Sequence, residues 1–238
     1  GAGGNYWALT GTAEPNSTVA IFEGSTQLAA VTASASGSWS YVTTGSVTNS
    51  SIRTFTASAS DAAGNTSAFL AAWIEGTAGN DTFDFASRAN LVAPGEVDGN
   101  GGTDTISMTA PVTLGSGDFA NVTSVETLQL TGASTVTLGA DAATAGIVNI
   151  VTGAGTTGIT DTNGVALSVD ATALADDLTL TLAGSAARTV TGVRGDLAAS
   201  GVSGALNVTT VAVASGLSIA TGSGSNTITA SALTAGQP

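Results

Sequence analysis

Apolar and polar residues alternate along almost the whole chain, with clusters of turn-forming residues every few positions. In residues 1–75 the alternation is short and tight: Phe55, Ala57 and Ala59 point one way and Thr54, Thr56, Ser58 and Ser60 the other. Turns are expected at Glu14-Pro15-Asn16-Ser17, Glu23-Gly24-Ser25, Ser36-Gly37-Ser38 and Asp61-Ala62-Ala63-Gly64-Asn65. About seven short strands result, the number an Ig-like β-sandwich requires, with Phe22, Trp39 and Tyr41 supplying bulk.

Beyond residue 76 the texture changes to runs of period two separated by glycine or small-residue corners. Leu128/Leu130, Val136/Leu138, Val148/Ile150, Leu167/Val169, Leu178/Leu180/Leu182, Leu206/Val208, Leu217/Ile219 and Ile228 mark successive strands. Every second strand start falls about 20 to 28 residues on, which predicts a β-solenoid with two strands per coil over residues 76–238. The uneven spacing leaves an antiparallel sandwich open for this half. The fold class is therefore all-β, an Ig-like sandwich followed by a β-solenoid.

Two related segments stand at the start of the second half. Gly76-Thr77-Ala78-Gly79-Asn80-Asp81-Thr82-Phe83-Asp84 is echoed by Gly99-Asn100-Gly101-Gly102-Thr103-Asp104-Thr105-Ile106-Ser107. Glycines let the backbone turn its carbonyls inward, the aspartate adds a hard anionic oxygen, and one large apolar residue anchors the strand that follows; that combination suits calcium. Gly76, Gly79, Asn80, Asp81, Gly99, Gly101, Thr103 and Asp104 are the candidate ligating residues. The plain alternative is a Gly-Asn-Asp turn opening a strand. The copies start 23 residues apart rather than in tandem, so each is expected to stand alone. Both segments resemble the glycine- and aspartate-rich nonapeptide of RTX proteins, calcium-binding β-rolls of secreted bacterial proteins, although Thr77 and Asn100 replace the second glycine.

Other phrases bear further resemblances. Gly11-Thr12-Ala13-Glu14-Pro15-Asn16-Ser17-Thr18-Val19, Gly37-Ser38-Trp39-Ser40-Tyr41 and Asp61-Ala62-Ala63-Gly64-Asn65-Thr66-Ser67 look like the bacterial Ig-like repeats of giant surface adhesins. Residues 119–128 and 205–210, followed by Gly222-Ser223-Gly224-Ser225-Asn226-Thr227-Ile228-Thr229, are similar to stretches of RTX-type S-layer and large surface proteins. The resemblance implies an extracellular, bacterial cell-surface location. It also implies calcium at domain junctions, for which Glu14, Asp61 and Glu75 are candidates, with Glu14 and Glu75 placed together at the end nearest the next module. The residues themselves favour Asp61 and Asn65 as caps of a tight turn.

Composition narrows the chemistry. The 238 residues include no lysine, histidine or cysteine, and four arginines against 17 acids leave a net charge of −13. Nucleic acid and anionic lipid, both bound through clustered cations, are poor partners for such a chain. No apolar run is long enough to cross a bilayer as a helix, so no membrane insertion is expected. Without histidine, cysteine or lysine there is no Ser-His-acid triad, H-E-x-x-H zinc site, thiol nucleophile, Schiff base or P-loop. Asp176 and Asp177 are neighbours pointing to opposite faces, and Asp81 and Asp84 diverge in the same way, so neither pair flanks a scissile bond. The expectation is a non-enzymatic structural segment with calcium as its staple, associating with copies of itself or with further modules of a parent chain. The chain opens on Gly1-Ala2-Gly3-Gly4 and stops at Ala235-Gly236-Gln237-Pro238, which reads as a piece of a longer protein whose solenoid continues.

The rival expectation is a carbohydrate-binding module for a surface glycan, which needs exposed aromatic platforms; Trp7 and Trp73 are the residues to watch. The Thr135/Thr137, Thr179/Thr181, Thr189/Thr191 and Thr227/Thr229 pairs are too unevenly spaced to form one flat ladder and read as ordinary solvent-facing strand positions.

Overall fold

The computed structural model describes residues 8–43, 53–67, 72–212 and 216–230. Six strands form the first half: β1 (Ala8–Thr12), β2 (Thr18–Glu23), β3 (Thr26–Thr32), β4 (Ser38–Val42), β5 (Arg53–Ser60) and β6 (Ala72–Glu75). β1 and β4 pair antiparallel as one layer, and β3, β2, β5 and β6 pair antiparallel as the other. Between the layers lie Leu9, Val19, Ile21, Trp39, Phe55, Ala57 and Trp73. The alternation read over Thr54–Ser60 is the reason: Phe55 and Ala57 are fully buried while their neighbours are not. Trp39 and Trp73 meet edge to face, ring centroids 5.7 Å apart at 83°, a favoured geometry for two aromatic quadrupoles.

The second half is a parallel β-solenoid of about seven coils. The first coil holds β7 (Thr82–Phe85) and the short helix α1 (Arg88–Val92). The next two hold β8 (Glu96–Asp98), β9 (Thr105–Met108) and β10 (Thr113–Leu114), then β11 (Val122–Thr123), β12 (Thr127–Gln129), β13 (Thr135–Leu138) and helix α2 (Ala140–Ala145). Later coils have two strands each: β14 (Asn149–Val151) and β15 (Gly158–Asp161), β16 (Leu167–Asp170) and β17 (Thr179–Gly184), β18 (Arg188–Val193) and β19 (Asp196–Val202), β20 (Leu206–Thr210) and β21 (Ile219–Ala220). β22 (Thr227–Thr229) adds the last rung.

One face is an eight-stranded parallel sheet, β22-β20-β18-β16-β14-β12-β9-β7, and the facing sheet runs β10-β13-β15-β17-β19-β21. The in-register positions Thr82, Thr105, Thr127, Asn149, Ser168, Thr189, Asn207 and Thr227 follow one another at 23, 22, 22, 19, 21, 18 and 20 residues. That is one coil each, so the eight strands stack over about 34 Å at the usual interstrand spacing. The next position inward forms an apolar column of Phe83, Ile106, Leu128, Ile150, Val169, Val190 and Val208, all buried. The pairing is parallel throughout, which excludes the antiparallel sandwich left open for this half.

Two expectations change. The early coils have a third wall, β6, β8 and β11, so two strands per coil holds only from β14 onward. Val148, read as an inward strand position, precedes β14 and is exposed. As expected, the Thr pairs form no single ladder: Thr189/Thr191 and Thr227/Thr229 lie on the eight-stranded sheet, where Thr189, Asn207 and Thr227 are in register but a shift between Val190 and Val193 breaks the pairing at Thr191, and Thr135/Thr137 and Thr179/Thr181 lie on the facing sheet. Coil length varies mostly inside the corners, and the register shifts within strands at only two of the described pairings, β17 with β19 and β18 with β20.

The halves meet through one strand. β6 pairs antiparallel with β5 of the sandwich and parallel with β8 of the solenoid, making a continuous sheet β11-β8-β6-β5-β2-β3. The 75/76 boundary therefore falls at the end of a strand that belongs to both modules.

Candidate functional site

The two Gly-Asp turns sit at the corner where the third wall passes into the eight-stranded sheet, one joining β6 to β7 and the other β8 to β9. Because 23 residues is one coil, these copies are not isolated; they lie directly on one another. Gly76 N donates to the Asp98 carbonyl (2.8 Å), Gly101 N to the Thr77 carbonyl (3.3 Å), Thr105 N to the Asp81 carbonyl (2.9 Å) and Thr103 N to Asn80 Oδ1 (2.9 Å).

Their carboxylates form a ladder up the stack. Asp81 Oδ2 accepts from Thr77 N and Thr77 Oγ1 (2.8 Å), folding back on its own turn. Asp104 Oδ1 accepts from Asp81 N (2.7 Å), and Asp104 N donates to Glu126 Oε2 (2.8 Å), one coil further on. The turns are thus unequal. Asn100 N, which stands where Thr77 N does, donates to Asp98 Oδ1 (2.9 Å) instead of to Asp104. Asp104 is 1% exposed and its Oδ2 has no hydrogen-bond partner. Burial pushes the Asp104 carboxyl up, the Asp81 amide opposes that, and the charges of Glu126, Asp81 and Asp98 add to the rise.

Gly99 closes this corner most tightly: a Cβ there would lie 1.9 Å from the Ser124 carbonyl oxygen and 2.5 Å from Asp104 Oδ2. Gly102, at φ +121°, has the left-handed backbone glycine tolerates and would meet the Gly79 carbonyl at 2.6 Å. Gly79 and Gly101 have no neighbour nearer than 3.7 Å, so packing does not require them.

Glu75 is buried in β6 beside its register partner Asp98, with Asn100 Nδ2 3.3 Å from its Oε2. Burial raises its pKa to about 7, the Asn100 amide opposes this, and the charges of Asp98 and Glu96 reinforce it. Glu14 and Glu75 do not share an end of the sandwich. Glu14 lines a cleft of about 320 Å³ with Ser17, Asp61 and Asn65, at the Ser60 end of β5, whereas Glu75 pairs in register with Arg53 at the other end. The β1–β2 turn lies beside the end of β5 because Thr18 is in register with Ser60. Asp61 accepts from Ala63 N (2.8 Å), Asn65 N (2.8 Å) and Asn65 Nδ2 (2.7 Å), and these bonds, the Asn65 side chain first, hold its carboxyl low. Among the described residues, no three acidic side chains converge as a metal cluster would.

Sequence reasoning missed two participants. Glu126 occupies the strand-entry column of Asp81 and Asp104, visible only once the coil period is known. Arg188 fills the same column between Leu167 and Leu206, its side chain wholly buried. It reaches Asp161 Oδ2 (3.2 Å) and donates to the carbonyls of Val165 (2.9 Å) and Ala187 (3.0 Å). Of the aromatic candidates, Trp73 is 7% exposed in the sandwich core and Trp7 lies outside the described residues.

Residues 3–74 match the family described as Bacterial Ig domain, a non-catalytic domain type. No curated protein and no solved structure matches the chain. An Ig-like domain of this kind joined to a β-solenoid is a structural module of surface proteins, and no helix among the described residues is long and apolar enough to cross a membrane.

Proposed function

We propose that the chain is a load-bearing, non-enzymatic segment of a secreted bacterial cell-surface protein, an S-layer subunit or long adhesin of RTX type. The observation that supports this reading is the shared strand β6: tension or bending applied to one module passes to the other through hydrogen-bonded backbone rather than through a linker. A spacer or lattice element needs that stiffness, and a mobile binding tip does not.

Calcium is the ion this reading assigns to the stacked turns. The buried, unpartnered Asp104 Oδ2 supports it, with the Ser124 carbonyl, which faces the same point beside Gly99, and the Glu126 carboxylate as further hard oxygen donors of the kind calcium takes. When bound, the ion neutralises the acidic corner and ties consecutive coils together. Neighbouring copies or further modules are the partners, and burial of Trp39 and Trp73 weighs against a glycan platform.

Thermal melting of the full chain in chelator and in millimolar calcium tests the ion. Binding to the folded state alone adds about 2.7 kcal/mol when free ion is 100-fold above Kd. Asp104→Ala is expected to abolish most of the calcium response, Asp81→Ala to weaken it and Asp176→Ala to leave it intact. Equal melting temperatures in both buffers would remove calcium from this reading, and a monomer by sedimentation at high concentration in calcium would favour the adhesin over the S-layer.

A further inference from the structure

A solenoid exposes an unpaired strand edge and an open core at each end unless something covers them. In the inward column Phe83 of the first coil is 3% exposed. Two elements cover the core of the first coil, while β7 stays the edge strand of its own sheet. Helix α1 sets the fully buried Leu91 against the core and is tied to the next coils by the Arg88–Asp118 pair and by Asn121 Nδ2, which donates to the carbonyls of Leu91 (3.2 Å) and Pro94 (2.8 Å). β6 does the rest: Trp73, Ile74 and Glu75 pair in register with Glu96, Val97 and Asp98, and Ile74 packs into the solenoid core.

β6 is itself held by β5, through four register pairs from Arg53–Glu75 to Thr56–Ala72, and by Trp73 in the sandwich core. We infer that the Ig-like module is the N-terminal cap of the solenoid, presenting β6 as a finished rung on which the first complete coil takes its register. Parallel pairing has no hairpin to set register, so a preformed strand removes the costliest choice in building the first coil. The same module then has an intramolecular role besides any spacing role, and this role does not depend on calcium.

Hydrogen exchange read by mass spectrometry on the full chain tests the cap. Val19→Ala and Phe55→Leu loosen the sandwich at residues that are fully buried in its own core and not part of the solenoid core. The expected result is at least tenfold faster exchange in β8 and β9 along with β2 and β5. Ile74→Ala is expected to produce the β8 and β9 effect with β2 and β5 unchanged. A sandwich that exchanges faster, or is lost altogether, while β8 and β9 keep their original rates overturns the proposal. So does an Ile74→Ala chain with unchanged β8 and β9.

Discussion

Trp73 and Ile74 are consecutive residues of one strand whose side chains enter different hydrophobic cores, Trp73 the sandwich and Ile74 the solenoid. Strand alternation makes this possible: successive side chains of β6 point to opposite faces of the shared sheet, Trp73 to the face of its register partner Phe55 in the sandwich core and Ile74 to the face of its partner Val97 in the solenoid core. Trp73→Ala empties a large buried site and is expected to cost about 3–5 kcal/mol. Because the strand it anchors also pairs with β8, calorimetry should show both modules destabilised, whereas a shift confined to a separate sandwich transition would show that the shared strand does not couple them.

Glu75 makes stability depend on pH in the direction opposite to an ordinary ion-paired acid. Its folded pKa of about 7 lies above the unfolded value of 4.5, so between these pH values the folded chain holds more protons. Stability is therefore greatest below the unfolded value, falls as pH rises through 7, and levels off above it, by at most about 3 kcal/mol for this group. Burial also raises the Asp104 and Glu96 carboxyls, adding slope of the same sign. At the acid end the opposite applies to Glu23, which the Arg53 guanidinium holds low and whose contribution disappears as it protonates. Urea unfolding from pH 5 to 8 should show the decline, and Glu75→Gln should flatten most of it; an unchanged slope in that variant would assign the effect elsewhere.

The Arg188–Asp161 pair places two charges inside the solenoid with side-chain exposures of 0% and 1%. Removing one partner strands the other, so Arg188→Met is expected to cost about 3–5 kcal/mol. Asp161 also accepts from the amides of Asn163 (3.1 Å) and Val165 (3.1 Å), so the matching variant is Asp161→Asn, which keeps an acceptor. The double variant should lose at least about 1 kcal/mol less than the two single losses added together. Strict additivity in urea midpoints would show that the two charges are satisfied independently by backbone.

Much of the architecture is legible from alternation alone, because a strand with one face in a core repeats every two residues: Phe55/Ala57 and Phe83, Ile106 and Leu128 are all where the pattern puts them. What alternation does not reveal is which strand lies beside which. The ladder from Asp81 to Asp104 to Glu126 joins residues 23 and 22 positions apart, and Glu126 sits in no glycine-rich motif. Arg188 has no local sign of burial, since its acidic partner Asp161 lies 27 residues back in the chain and its other partners are backbone carbonyls. The shared strand is hidden for a related reason: Trp-Ile reads as one apolar pair until its two sides are known to face separate cores. Helices α1 and α2 span only five and six residues, too few for a helical period to register.

The glycines of the acidic turns separate motif from mechanics. Gly99 and Gly101 belong to the same motif copy, but a methyl group at Gly99 would lie 1.9 Å from the Ser124 carbonyl oxygen, while one at Gly101 finds nothing nearer than 3.7 Å. Backbone of the next coil cannot move aside without breaking the Gly99 N to Thr123 carbonyl bond (3.0 Å). Gly99→Ala is therefore expected to cost at least about 2 kcal/mol, as overpacking against an immobile neighbour does. Gly101→Ala should change stability by less than about 0.5 kcal/mol, the contact cost being nil and the loss of unfolded-state freedom slightly favourable. Urea midpoints of the two variants, taken in chelator so that ion binding does not enter, decide the matter. Equal midpoints would mean that the two coils are not stacked as closely as the Gly99 contact requires, and the carboxylate ladder built on that stacking would fall with it.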